Sequence, residues 1–204
     1  MEILSFILNN TNAFFAIFVA IVLVKLAFFI LKGVSLFKMN KDLNFKKPFL
    51  AFIPIISPFS LGRLSDAFDR ANNKKSRNSS KLLTLSILKV TLLVFFVFMV
   101  LISFSTILTY AKKAAEGGTA MEPSMFYSLI PMFVLYVASL ALAVIYAVYF
   151  YISLYKVYKL YIPSLSVAAT VISIIISPAT SIFLLVASTK QPTAPKSIEK
   201  PSEN

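Results

Sequence analysis

Long apolar runs dominate this chain, and they leave few environments in which it can fold. Between Ala13 and Leu31, fourteen of nineteen residues are Leu, Ile, Val or Phe. About 20 helical residues cross a hydrocarbon core of about 30 Å. Each large apolar residue favours insertion by about 0.3–0.6 kcal/mol, roughly 4–8 kcal/mol for the run, whereas one lysine opposes it by about 2.5–3.5 kcal/mol. Lys25 is the only charge in the run, so the predicted span, over 13–33, survives it. The residues before the run carry Glu2 and no Lys or Arg, and no small-residue cleavage pattern follows. The run is therefore expected to stay as a helix and not to be removed as a signal peptide.

Comparable runs predict further spans over 85–110, 126–154 and 165–187, the last interrupted by Pro178. Only 14% of the residues are charged and 58% are apolar, against about 25% charged in a water-soluble domain. So few charges cannot cover a protein surface in water. The predicted class is an all-α membrane protein with four transmembrane helices.

The segment 49–72 reads differently. Its apolar part carries Pro54 and Pro58 between Lys47 and Arg63, too short and too broken for a span. It is predicted as a proline-broken interfacial or re-entrant element. Leu61, Leu64, Phe68 and Ala71 then recur at helical spacing, with Arg63, Asp66 and Arg70 on another face. This predicts a short amphipathic helix on the membrane surface, with Asp66 and Arg70 paired at i, i+4. A polar loop follows, and the Pro- and Lys-rich tail over 188–204 is expected to be disordered.

The formal charge of +12 could mean nucleic acid in a soluble protein. In a membrane protein it means cytoplasmic loops and anionic headgroups, so no nucleic-acid partner is expected. Nine basic residues lie between Met39 and Lys81, which places the loop 39–81 in the cytoplasm and the N-terminus outside a multi-pass cell-membrane protein. Four spans would put the tail outside, against its three lysines. A fold-back at Pro178 would return it to the cytoplasm. The continuous span is the favoured reading.

The chain has no Cys and no His, which removes thiol nucleophiles, disulfides, Cys/His zinc sites and His acid–base catalysis. No P-loop, GxGxxG or CxxC pattern occurs. Asp66 and Asp69 could share a metal or a proton, but Arg63 and Arg70 beside them favour ion pairing. Ser57 lacks a base positioned with it by sequence. No catalytic, cofactor or metal residue is assigned, and a non-enzymatic protein is expected. The eight acids all fall outside the predicted spans, which argues against proton- or sodium-coupled transport. Lys25 and Lys32 share a helical face seven residues apart. They are expected to snorkel to the interface, the alternative being cations facing a pore or anionic substrate. Six tyrosines between Tyr146 and Tyr161 read as an interfacial aromatic belt.

Two candidate surfaces follow. Arg63, Asp66, Arg70, Lys74 and Lys75 would bind lipid or a partner, making the chain an accessory or scaffold protein that docks on anionic headgroups, a membrane-protein partner or another copy of itself. Alternatively, Ile55-Ile56-Ser57-Pro58 reappears as Ile175-Ile176-Ser177-Pro178. Pro54, Ser57, Pro58, Ser177 and Pro178 would then be the broken elements of a small pore or transporter. Four matching residues in a chain rich in Ile and Ser also arise by chance.

The stretch Ile53-Pro54-Ile55-Ile56-Ser57-Pro58-Phe59-Ser60-Leu61-Gly62-Arg63-Leu64-Ser65-Asp66 resembles a segment of small multispanning membrane proteins of Gram-positive bacteria. Tyr158 to Pro163, followed by the last apolar run, resembles the end of the same proteins. This sequence departs from their pattern at Ser57 and Pro58, and has Phe52 where Trp is common. The resemblance covers about a quarter of the chain. It implies a bacterial multispanning protein and carries no activity.

Overall fold

A computed structural model describes residues 11–115 and 124–193. Among these the regular structure is entirely helical, without a strand. Three helices are long and apolar enough to cross a membrane. These are α1 (Thr11–Asp42), α3 (Asn78–Ala115) and α4 (Ser124–Tyr161). The 15-residue α2 (Ser57–Ala71) precedes α3, and two ten-residue helices, α5 (Ser166–Ile175) and α6 (Ala179–Ser188), follow α4.

Each long helix outruns its predicted span. At 1.5 Å per residue they measure about 48–57 Å, well beyond a bilayer's hydrocarbon. The extra turns mix charged residues with apolar ones. They are held as helix by tertiary contacts at one end of the molecule, where α2 packs against α1, α3 and α4. Leu36 and Met39 of α1, Leu61 and Leu64 of α2, Leu154, Val157 and Tyr158 of α4, and Leu184 of α6 form a single core there. The other end is bare: Phe18, Phe98 and Phe133 are 63%, 65% and 66% exposed.

The expected fourth span is not a continuous helix. Pro178 has no N–H to bond and its ring would clash with the carbonyl four residues back, so the helix stops before it. The backbone leaves helical geometry at Ile176, and Pro178 starts the next helix with φ −59° and ψ −28°. The two arms then run as a hairpin. α5 packs on α4 and α6 on α1. The chain returns to its starting point, where both the backbone N–H and the hydroxyl of Thr193 donate to the Leu160 carbonyl, at 2.8 and 2.7 Å. The first residues of the expected disordered tail are thus tied down. Residues 194–204, like the N-terminus and the Gly117-Gly118 loop, lie outside the described residues.

The segment 49–72 is a short 3₁₀ turn (Pro48–Phe52), a loop, and α2. Phe49, Ile53 and Ile55 are exposed, and the Phe52 ring packs beside Phe37 of α1 at 5.9 Å between centroids. Pro58 sits in the first turn of α2, where a missing N–H costs nothing. The two Ile-Ile-Ser-Pro copies therefore share one local role, starting a helix. Their surroundings differ: Ile55 offers its carbonyl to the Ser86 hydroxyl at 2.9 Å, whereas Ser177 and Pro178 form the hairpin tip.

Candidate functional site

The best-ordered polar constellation lies where α2 meets α3. A helix N-terminus leaves its first N–H groups without intrahelical partners and carries partial positive charge. For α3 those groups are met by Asp66, one helix away. The backbone N–H groups of Asn78 and Ser79 donate to its two carboxylate oxygens at 2.7 and 3.1 Å, and the Ser79 hydroxyl adds a third bond. The Asn78 amide bridges Ser65 and Asp69 at 2.8 and 3.1 Å. Lys156 of α4 closes the network with a 2.6 Å ion pair to Asp69. Gly62 allows the approach. A Cβ there would fall 2.4 Å from the Ser79 Cα.

This corrects the expected pairing of Asp66 with Arg70 on the amphipathic helix α2. Ten of its fifteen residues are buried. Asp66 is 8% exposed and faces the α3 N-terminus instead of pairing with Arg70. Two backbone donors and a helix dipole in a desolvated site outweigh an exposed i, i+4 pair. The Arg70 Nε instead donates to the Asp66 backbone carbonyl at 3.4 Å. Asp66 therefore does not belong to a docking surface.

Arg63 is set apart as well. Its guanidinium lies 4.4 Å from the centre of the Phe45 ring and donates to the Lys46 carbonyl at 2.7 Å. Partial burial, and then the Arg70 charge beside it, lower its proton affinity below the ordinary value. What remains exposed gathers on the other side. Arg70, Lys74, Lys75, Arg77 and Lys81 surround an open depression of about 710 Å³. The structure thus brings together Arg70, Lys74 and Lys75 from the predicted set and adds Arg77 and Lys81. Those two were visible in the sequence as part of the basic loop. The turn from α2 into it uses Asn73 in the left-handed region, φ 55°.

A second cavity, of about 400 Å³, lies between α1 and the hairpin tip. Lys25 and Lys32 enter it from α1, Phe150 and Tyr151 from α4, and Ser177, Pro178, Thr180 and Ser181 from the tip. The Lys32 ammonium sits 4.7 Å from the Phe150 ring centre. Of the predicted pore residues, Ser177 and Pro178 line this cavity. Pro54, Ser57 and Pro58 do not.

Tyr158 was read as part of an interfacial belt, but it is fully buried. Its hydroxyl bonds the Ser173 hydroxyl at 3.2 Å and donates to the Thr180 carbonyl at 3.3 Å, linking both hairpin arms to α4. Tyr151 donates to the Ser173 carbonyl at 3.3 Å. Tyr161 is also buried. Among the tyrosines expected at an interface, Tyr146 and Tyr149 carry the ammonium groups of Lys89 and Lys81 over their rings. No family model, curated protein or solved structure matches this chain.

Proposed function

We propose that this chain is a non-enzymatic, multi-pass membrane scaffold whose basic depression binds anionic headgroups at the cytoplasmic face. The observation carrying this reading is the depression itself. Five cations are gathered at the end of three apolar helices, and among the described residues no carboxylate lines it. Each basic residue near an anionic leaflet contributes about 1 kcal/mol. Five of them around one depression add their attractions at a single place. Read as three spans and a returning hairpin, the chain would have the basic loop and Lys190 on one side, in keeping with the positive-inside rule. The absence of enzymatic work is supported by chemistry: Asp66 and Asp69 are consumed in structural bonds, and the sequence has neither Cys nor His.

Lipid retention tests the reading. Purified protein, delipidated and re-supplied with equal phosphatidylglycerol and phosphatidylcholine, should keep the anionic lipid in native mass spectra. Lys74→Glu with Lys75→Glu should lower that retention roughly tenfold or more. Equal retention by variant and parent would remove the depression from consideration. A second reading, a small carrier, is favoured by the hairpin-tip cavity. It rests on Ser177 and Pro178 alone, since the first Ile-Ile-Ser-Pro copy serves α2.

A further inference from the structure

We infer that the cavity between α1 and the hairpin tip is a binding site for a phosphate-bearing anion, reached from within the membrane. The inference does not rest on the basic depression at the other site. Two cations line the cavity, and no carboxylate does among the described residues. The one carboxylate of α1, Asp42, ends the helix ten residues past Lys32 and does not line the cavity. Simple snorkelling does not describe their setting. Lys32 is held over the Phe150 ring, and the hairpin tip closes one side of its path.

The hydroxyls of the tip point to the same ligand. Elsewhere in these helices, hydroxyls bond back to carbonyls three or four residues earlier: Ser35 to Leu31, Thr106 to Ile102, Thr109 to Ser105, Thr170 to Ser166. That is the usual way a hydroxyl is satisfied in a helix. Thr180 and Ser181 are each only 6% exposed and line the cavity, yet neither hydroxyl donates to a described residue. Their hydroxyls are open to the cavity, so each can donate to a ligand there. Two ammonium groups and two hydroxyls are donors of the kind a tetrahedral oxyanion takes.

Depth gives the route. Tyr151 lies ten residues before the end of α4, and Lys32 ten before the end of α1. Both helices run past the hydrocarbon there: the predicted spans end at 33 and 154, one residue beyond Lys32 and three beyond Tyr151, so the tip lies just inside the hydrocarbon boundary, beside the lipid phosphates. Lys25 and Ser177 are both largely exposed in the structure, so the cavity opens sideways as well. A phosphate carried on a lipid and a free phosphate ion share the recognising chemistry, and the experiment separates them.

The chain lacks Cys, so Ser177→Cys gives a single reporter inside the cavity. The full chain carrying it is placed in phosphatidylcholine nanodiscs. It is then reacted with an anionic sulfonatoethyl or a cationic trimethylammonioethyl methanethiosulfonate. The anionic reagent should react about tenfold faster, as two nearby unit charges require in a partly screened site. Lys25→Gln with Lys32→Gln should abolish the preference, and Lys25→Arg with Lys32→Arg should keep it. Inorganic phosphate slows the anionic reagent if the ligand is a free ion. Phosphatidate in the disc slows it, with phosphate inert, if the ligand is a lipid. A parent without preference, a preference that survives the Gln pair, or labelling that neither phosphate nor phosphatidate slows would each overturn the site. Should the Gln pair not fold, the parent's preference and its protection still decide. Lys74→Glu with Lys75→Glu, which tests the basic depression, should leave this labelling pattern unchanged.

Discussion

The two ends of this molecule are built on different principles. At one end, α2, the first turns of α3, the last turns of α4 and the hairpin enclose a shared core and a polar network with specific partners. At the other, α3 and α4 run side by side with almost every large side chain facing outward. In the most apolar stretch of α1 no residue is buried, and in those of α3 and α4 only 6% are. Lipid wets such faces at no cost, so the bare end needs only to be apolar. The closed end must place donors against acceptors, where an unpaired group costs about 1–3 kcal/mol. Sequence tolerance should differ between the ends accordingly.

The most severe break should come at Gly62. Gly62→Leu drives a side chain into the backbone of Ser79. The α2–α3 contact cannot relax around it, so folded protein should be lost on size-exclusion chromatography in detergent. Asp66→Ala comes next. It removes three bonds, two of them to otherwise unpaired helix N–H groups, and should lower stability by about 2–4 kcal/mol. Thermal unfolding in detergent reads this, and Asp66→Asn should recover part of the loss. Tyr158→Phe leaves the ring in place and removes only the link between the hairpin arms, for about 1–2 kcal/mol. Faster hydrogen exchange should then be confined to α5 and α6. Smallest of all, Leu101→Ala, at a residue 61% exposed, should move the unfolding midpoint by less than the equivalent of about 0.5 kcal/mol. A large effect there would mean that a second protein surface, and not lipid, covers the bare end.

The same contrast explains what the sequence discloses. Apolar runs are read directly, because a span needs only length and hydropathy, and α1, α3 and α4 each contain their predicted segments. The amphipathic period of α2 was equally legible. Its partners were not. Asp66 and Asn78 are twelve residues apart, and Asp69 and Lys156 are 87 apart. Only the folded chain reveals that Asp66 faces α3. Residues 165–187 are long and apolar enough for a span, and the signs against it were Pro178 and the three lysines of the tail. The effect of Pro178 depends on α1 and α4 offering a slot for two short arms. The tyrosines near the end of α4 were assigned by composition to an interface. A hydroxyl buried against Ser173 leaves no trace in composition. Among the candidate binding residues, Arg70, Lys74 and Lys75 gather around one depression, whereas Arg63 lies against Phe45 and donates to the Lys46 carbonyl.

The hydrogen bonds from Thr193 to Leu160 also bear on how the chain is made. A segment that returns to the level of its own start makes no net crossing, so in the proposed topology Lys190 never meets the cost of passing through a bilayer. α5 and α6 are synthesised after α1 and α4, the walls between which they lie. The hairpin is thus placed to insert from the side of synthesis against walls already made.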